Sequence, residues 1–312
     1  MRGITEIFDA MSESGAPFSL AFVADHGGIE THVGGYWPSG RPVKSDDYFY
    51  AASLAKQVTG AAVAVLARQG LLLADHCVAH HLPGLGAWAA SVTIGQLLHH
   101  VSGLVPAGNW EAGGADWTND RALELLRGGF GDIGQRGAYA YSNVGYVLLA
   151  RIVESVSGLA FSDFVATYLF GPLAIQGMTF SEAPLGPESE QWHLLGDTLP
   201  LSSGDGGLWT TAGAFAQWLD CQNRDLLEIG GLVSQAGRLS DGTLGDYGWG
   251  IGLRGDKHKP SFVHAGNWPG AGAKAIRQPG SGLSLVMLGA GEMAPAVAGW
   301  TDKILTCLRP SR

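Results

Sequence analysis

Residues 48–56 of the chain are YFYAASLAK, and from Ser53 onward the chain is mostly Ala, Val and Leu as far as Arg68. A run that is apolar nearly all round predicts a buried helix of about four turns. Gly70 follows the run and suits its end. Ser53 therefore stands at the start of a buried helix, with Lys56 one turn further along.

The pair Ser53 and Lys56 is the first candidate for chemistry. Residues three apart share a helix face, so the amine can lie beside the hydroxyl. A serine hydroxyl is a poor nucleophile until a base takes its proton, and an amine held among apolar neighbours gives up its own proton more easily. The helix dipole favours developing negative charge at this end. The spacing alone also fits a capping serine followed by a surface lysine.

The tripeptide Tyr141-Ser142-Asn143 is the second candidate. A tyrosine phenol beside a charged lysine can become a phenolate and act as a general base. The Asn143 amide offers a donor and an acceptor, which suits it to orient Lys56 or a substrate amide. A polar turn before a helix beginning at Gly145 explains the same residues without chemistry.

The tripeptide His264-Ala265-Gly266 is the third candidate, at the end of a predicted strand. Gly266 would let a substrate backbone lie close to the strand edge. A backbone N–H just beyond it could join that of Ser53 in an oxyanion hole. A loop histidine followed by turn glycines is the alternative.

The order and spacing of these three motifs are similar to those of the serine β-lactamase and penicillin-binding protein superfamily. Within it the chain most resembles the class C-type branch, which includes esterases and D-aminopeptidases. The likeness runs from about residue 17 to 308. Three further segments carry it, namely LLHHVSGL at 97–104, the helix that follows Tyr141 up to Gly158, and GDGGLWTT at 204–211.

The resemblance implies a role for each site residue. Ser53 would be acylated, Lys56 would accept its proton, and Tyr141 would activate water for deacylation. Asn143 would hold the lysine or the amide of the acyl group. The oxyanion hole would use the backbone N–H groups of Ser53 and Asn267. No metal and no cofactor is implied.

One departure from the family pattern bears on the substrate. β-Lactamases and transpeptidases usually carry Lys-Thr-Gly where this chain has His264-Ala265-Gly266, and a histidine is largely neutral at pH 7. We therefore expect a serine hydrolase acting through an acyl-enzyme on a small carboxylic ester or related amide. The alternatives are a β-lactamase, a D-amino-acid amidase or peptidase, an acyltransferase, and a catalytically silent binding protein of the same fold.

The order of local patterns predicts an α+β fold. One antiparallel sheet would form from both chain ends, flanked by helices, with an inserted and mostly helical lobe. We expect a sheet domain of residues 1–58 plus 205–312, a helical domain of residues 59–204, and the active site in the cleft between them. Strands are predicted within 17–37 and at 247–253, 261–264, 273–278 and 283–288, and a terminal helix at 295–308.

Composition limits the class of protein. The 312 residues are 46% hydrophobic and 15% charged, with a formal charge of -9, so a surface for nucleic acid is not expected. No apolar stretch is long enough to span a bilayer.

The three cysteines show no metal-binding or disulfide spacing. The first 18 residues contain acidic side chains and no apolar run, so a cytoplasmic protein is expected. The sequence leaves the oligomeric state and the natural substrate undetermined.

Other polar and aromatic clusters have structural explanations. The pairs His80-His81 and His99-His100 look like metal ligands, but adjacent helical residues face different directions, so structural roles are expected. Trp209, Trp249 and Trp268 could line an acyl pocket or belong to the core. The segments 105–120 and 182–200 have no recognisable pattern and could be lids that set specificity.

Overall fold

A computed structural model gives the fold, and it describes residues 2–25, 27–104, 118–129, 134–181, 190–195, 201–256 and 258–308. The segments predicted as lids, 105–120 and 182–200, lie for the most part outside these residues.

The larger sheet has six antiparallel strands and is built from both chain ends, which confirms the predicted α+β class. Its strand order is β2-β1-β9-β8-β7-β6. The chain ends meet where β1 pairs with β9, with Phe18 opposite Gly289. The strands are β1 Phe18–Val23, β2 Glu30–Gly34, β6 Gly252–Arg254, β7 Ser261–Trp268, β8 Ala271–Gln278 and β9 Leu283–Ala290.

A second, three-stranded sheet lies beside the nucleophile segment. It is made of β3 (Phe49–Tyr50), β4 (Met178–Phe180) and β5 (Leu208–Thr210), in the order β3-β5-β4. The sequence did not predict it, because strands of two or three residues are too short to show an alternating pattern. This sheet brings the chain before Ser53 next to the glycine-rich segment at 204–207.

Both faces of the larger sheet are covered. Alternate residues of β1 belong to different cores, with Leu20 and Phe22 in one and Ala21 in the other. Two terminal helices, α1 and α10, cover the first face, and α8 packs on the second. The helices are α1 Arg2–Ser12, α2 Ala55–Arg68, α3 Val78–His81, α4 Ile94–Leu98, α5 Asn119–Arg127, α6 Asn143–Ser157, α7 Phe161–Val165, α8 Ala212–Asn223, α9 Gly230–Val233 and α10 Val297–Leu308.

Two predicted elements begin later in the chain than expected. The strand expected at 247–253 begins only at Gly252, because Gly250 has a left-handed φ of 83° and a Cβ there would lie 2.0 Å from the Lys56 carbonyl oxygen. The chain therefore turns against α2 at this point. The terminal helix begins at Val297, since Pro295 belongs to a preceding 3-10 segment. The division into domains 1–58 plus 205–312 and 59–204 stays a prediction.

No single helix among the described residues is long and apolar enough to cross a membrane. The helical segments 143–157 and 161–170 meet the length and composition test only when taken together, and they are bent by 75° relative to each other.

Candidate active site

The Ser53 hydroxyl and the Lys56 amine lie side by side. A 3-10 turn, Ala52–Leu54, runs directly into α2, so residues three apart point the same way. Lys56 Nζ is 3.2 Å from Ser53 Oγ. The spacing of the motif predicts this arrangement.

Lys56 is fully buried, yet its amine has acceptors on three sides. Besides Ser53 Oγ, the amine donates to Asn143 Oδ1 at 2.7 Å and to the Asp205 carbonyl oxygen at 2.8 Å. A buried amine without such partners would be costly, because it would lose its hydration without replacement. The three acceptors come from the 3-10 turn, from α6 and from the glycine-rich segment, and all three elements meet at Lys56.

A helix cap fixes Asn143. Ser142 is the N-cap of α6, and its hydroxyl accepts from the Gly145 N–H at 3.3 Å. Asn143 is therefore the first residue of the helix, two residues before the predicted start. At the far end Gly158 caps the helix with a left-handed φ of 72°.

The Tyr141 ring lies beside Lys56, with Lys56 Nζ 4.9 Å from its centroid. This distance suits a cation–π contact between the amine and the ring face. Tyr141 is 40% exposed, so one side of the phenol is open to solvent. His100 packs on the ring with 4.4 Å between the ring centroids. The predicted base therefore lies next to the lysine and within reach of water.

His100 supports the site and carries no charge. Its Nδ1 accepts the Ser142 N–H at 3.1 Å, so that nitrogen holds no proton. Burial, and then the charge of Lys56, holds the pKa of His100 well below its usual range. The sequence predicted a structural histidine here. The segment 97–104 resembles a family segment that contains a histidine, and His100 occupies the position of that histidine. This match was the signal in the sequence that His100 lies against the site.

His264 is also neutral, as the sequence predicted, because a histidine is largely neutral at pH 7. Its Nδ1 faces the Ala265 carbonyl oxygen at 2.8 Å, and since a carbonyl only accepts, Nδ1 carries the proton. Nε2 then accepts from the Tyr247 hydroxyl at 2.8 Å. Burial, followed by the nearby Lys56 charge, lowers the pKa of His264 to about 3. No permanent positive charge therefore stands at this position of β7.

A close backbone approach holds the Ser53 turn against β7. A Cβ on Gly266 would lie 2.5 Å from the Ala51 carbonyl oxygen and 3.1 Å from Ser53 N. The residue before the nucleophile, Ala52, has a φ of +47°, a conformation that costs a non-glycine residue roughly 1–3 kcal/mol. The contact with Gly266 is one of the constraints that hold the turn in this conformation.

We expect Gly266→Ala to lower kcat/KM for an ester by on the order of 10²-fold, because displacing a nucleophile by about 1 Å has that effect. Steady-state kinetics and the thermal midpoint would measure activity and folding separately. Gly280→Ala is the matched control, since a Cβ there meets nothing within 4 Å. Wild-type kinetics in Gly266→Ala would show that this contact does not position Ser53.

The two predicted oxyanion donors, the N–H groups of Ser53 and Asn267, belong to segments that pack against each other. Asn267 follows Gly266 in β7, opposite Gly272 of β8. The strand β6 pairs only with Ser261–Val263 of β7, so among the described residues no strand pairs with the other edge of β7 beyond Val263. The 3-10 turn that carries Ser53 packs against β7 and β8. The use of the Asn267 N–H as an oxyanion donor stays a prediction.

Of the three tryptophans, two pack near the Ser53 turn and one belongs to the main hydrophobic core. Trp209 is fully buried and packs with Tyr50, Ala52 and the partly buried Trp268 next to the nucleophile turn. Trp249 belongs to the main hydrophobic core, and a Cβ on Gly60 of α2 would lie 2.1 Å from its carbonyl oxygen. Trp209 and Trp268 therefore belong to the surroundings of Ser53, whereas Trp249 belongs to the core.

Comparison with known proteins identifies the family. The sequence profile of the Beta-lactamase family matches residues 5–303. The chain belongs to the Beta-lactamase family. This membership, together with the Ser53 and Lys56 pair, makes it a serine hydrolase of that family.

The relatives include penicillin-binding proteins. The chain is 28% identical to penicillin-binding protein 4* of Bacillus subtilis, over 88% of this chain and 68% of the relative. It is 32% identical to penicillin-binding protein 4 of Amycolatopsis lactamdurans, over 65% of this chain and 58% of that one. The chain thus spans only part of the length of these relatives.

A solved structure shares the fold over almost the full length. The D-amino acid amidase of Ochrobactrum anthropi SV3 superposes with a TM-score of 0.81 at 20% identity, covering 97% of this chain and 99% of that one. At 20% identity, this structural similarity shows that the two proteins share a fold.

The sequence did not indicate that some residues belong to the site. The Asp205 carbonyl is a backbone group, and any residue could supply it. Tyr247, which donates to His264, lay within a segment predicted as a strand. Tyr50 accepts the Gly207 N–H at 3.3 Å, and its position shortly before Ser53 in the sequence does not reveal this contact.

Proposed function

We propose that the protein hydrolyses a small carboxylic ester, or a related amide, through an acyl-enzyme on Ser53. The observation that carries this proposal is the 3.2 Å contact between Lys56 Nζ and Ser53 Oγ. A nucleophile and a base within hydrogen-bond reach are the signature of covalent catalysis, and a third group that orients the base completes it. Asn143 and the Asp205 carbonyl orient the base here.

The hydrogen bonds of Lys56 fit both stages of acylation. A neutral amine has two N–H donors, one for Asn143 Oδ1 and one for the Asp205 carbonyl, and its lone pair then faces the Ser53 hydroxyl. When Ser53 Oγ bonds to the acyl carbon, its proton passes to that lone pair. The resulting ammonium keeps the same two acceptors and can return the third proton to the leaving alkoxide or amine. Little rearrangement of the site is needed between the two stages.

Deacylation is assigned to Tyr141. Its ring lies next to Lys56 and its exposed side gives access to water, which supports a role in activating a water molecule. In this proposal the N–H groups of Ser53 and Asn267 stabilise the oxyanion. Asn143 holds Lys56, which favours that role over contact with the acyl amide.

The neutral His264 supports an ester over a β-lactam. A β-lactam or a D-alanine terminus has a carboxylate, and a cation on this strand would stabilise it. With the pKa of His264 lowered to about 3, the position has no charge at neutral pH. An uncharged substrate loses nothing by this change, which makes an ester or a neutral amide the better fit.

A D-amino-acid amide is the second candidate. Such a substrate lacks a carboxylate, so the neutral His264 is compatible with it. The solved structure that superposes with a TM-score of 0.81 is a D-amino acid amidase, which supports testing this class. A cytoplasmic location also belongs to the proposal, since Cys77, Cys221 and Cys307 are all free thiols and suit a reducing compartment.

The ester proposal is tested by comparing turnover of p-nitrophenyl butyrate with that of nitrocefin, a β-lactam. We expect kcat/KM for the ester to exceed that for the β-lactam by at least about tenfold, a difference of ~1.4 kcal/mol in transition-state binding. A pair of aryl esters whose leaving phenol has or lacks a carboxylate isolates the effect of charge. Faster opening of nitrocefin, or a preference for the charged ester, would contradict the argument from His264. If the protein turns over D-phenylalanine amide faster than it turns over either ester, the result would favour the second candidate, a D-amino-acid amidase.

A further inference from the structure

Three histidines meet on the helical part of the molecule, remote in sequence from the active-site motifs. His76, His80 and His81 each bring one ring nitrogen into a group whose members all lie within 4.8 Å of one another. The ring centroids are 4.8 Å apart for His76 and His80, and 4.7 Å apart for His80 and His81. Helix periodicity is a reason to discount His80 and His81 as a pair, but it does not reveal the third ring.

The backbone explains why His76 joins them. His76 lies before α3, where the Ile94 N–H donates to its carbonyl oxygen at 3.0 Å and Cys77 bridges to Thr93. The helix α3 then ends at His81, whose carbonyl oxygen accepts from Ser155 Oγ of α6 at 2.8 Å. Both ends of the segment are therefore tied to neighbouring elements, and its turn folds the His76 ring back over the two helical rings.

The distance between two of the nitrogens fits a shared metal ion. His76 Nδ1 and His81 Nε2 are 3.2 Å apart. Two nitrogens bound to Zn²⁺ at about 2.0–2.1 Å in a tetrahedral site lie roughly 3.3 Å from each other. The third ring, His80, is exposed, so its side chain can adjust to complete the set.

We propose that His76, His80 and His81 bind a divalent cation of the zinc class. Neutral imidazole is a preferred ligand for Zn²⁺, Cu²⁺ and Ni²⁺, and three protein ligands leave a fourth position for water. A simple N–H···N hydrogen bond would explain the contact between His76 and His81, but it gives no role to His80.

This site is independent of the proposed hydrolase reaction. The helix α3 packs against α6 and the 3-10 turn Ala87–Ala90, and in the described part of the chain no hydrogen bond joins the three histidines to Ser53 or Lys56. A bound cation would tie the segment 76–81 together. Removing the metal with a chelator should therefore leave ester turnover unchanged, and failure of either proposal would be visible without the other.

The test is a titration of tag-free protein with Zn²⁺ by calorimetry and with Co²⁺ by visible absorption. We expect one ion per chain, a Co²⁺ spectrum typical of tetrahedral coordination, and a thermal midpoint that rises with Zn²⁺. His80→Ala should weaken affinity by at least about tenfold. His258→Ala, which removes an exposed histidine elsewhere, should bind as the wild type does.

Cys77 needs its own control because it lies within the same segment. Cys77→Ser should retain the affinity for Zn²⁺, and His80→Gln provides a second variant with a side chain of similar length. Equal affinity in the wild type and His80→Ala, loss of binding in Cys77→Ser, or no saturable binding below millimolar Zn²⁺ would each overturn the proposal. The last result would leave a histidine–histidine hydrogen bond as the explanation.

Discussion

Ser53→Ala is expected to lower ester turnover by on the order of 10³-fold or more, because no acyl-enzyme can form without the hydroxyl oxygen. Residual activity would come from substrate binding and the backbone oxyanion donors, which the substitution leaves in place. Covalent labelling by a fluorophosphonate should disappear. Intact-protein mass spectrometry and steady-state kinetics on p-nitrophenyl butyrate would measure the two effects.

The folded structure should tolerate this change. Ser53 Oγ is one of three acceptors around Lys56, and the other two remain in Ser53→Ala. The thermal midpoint should therefore change little. Ser281→Ala, at an exposed turn between β8 and β9, is the control and should label as the wild type does. A phosphonate adduct on Ser53→Ala would place the nucleophile at another residue, and loss of labelling without loss of turnover would argue against an acyl-enzyme.

The contact between Ser53 and Lys56 was predictable because it is local. Two side chains three residues apart on a helix must be neighbours, whatever the remaining chain does. The strands β1 and β2 were predictable for the same reason, because their residues lie within the short segment 17–37. The buried run after Ser53 likewise indicated α2 from composition alone.

The contact between Lys56 and Asn143 is of a different kind. It joins residues 87 apart in the chain, and the sequence left open whether Asn143 holds Lys56 or a substrate amide. The Asp205 carbonyl had no signal at all, because a backbone acceptor is the same in every residue type. Its position depends on the pairing of β3 with β5, and those strands are too short to be recognised in a sequence.

The histidines illustrate a further limit. Periodicity sets His80 and His81 on different faces of an ideal helix, but in the four-residue α3 their ring centroids are 4.7 Å apart. Periodicity also cannot show that the chain before the helix folds back on them. That turn depends on hydrogen bonds from Ile94 and Ser155, which lie outside the segment. Local rules fail where a tertiary contact sets the direction of a side chain.

Lys56→Met should slow acylation by roughly 10²–10⁴-fold, the usual contribution of a general base. Methionine is similar in length and apolar, so it fills the buried space but accepts no proton. Asn143 Oδ1 and the Asp205 carbonyl would each lose a donor, at about 1–3 kcal/mol apiece, while the cost of burying an amine is removed. We therefore expect a moderate change in the thermal midpoint and a much larger change in the rate of phosphonate labelling.

The rate of phosphonate labelling also distinguishes the proposed role of Lys56 in acylation from that of Tyr141 in deacylation. Lys56→Met should label slowly, whereas Lys259→Met, an exposed lysine far along the chain, should label at the wild-type rate. Tyr141→Phe should label at nearly the wild-type rate but accumulate acyl-enzyme from an ester, because only the deacylation step uses the phenol. If Lys56→Met were labelled within about tenfold of the wild-type rate while Tyr141→Phe was not, the roles of the two residues would be reversed. The proton of Ser53 would then pass to the phenolate, and Lys56 would act by stabilising that charge.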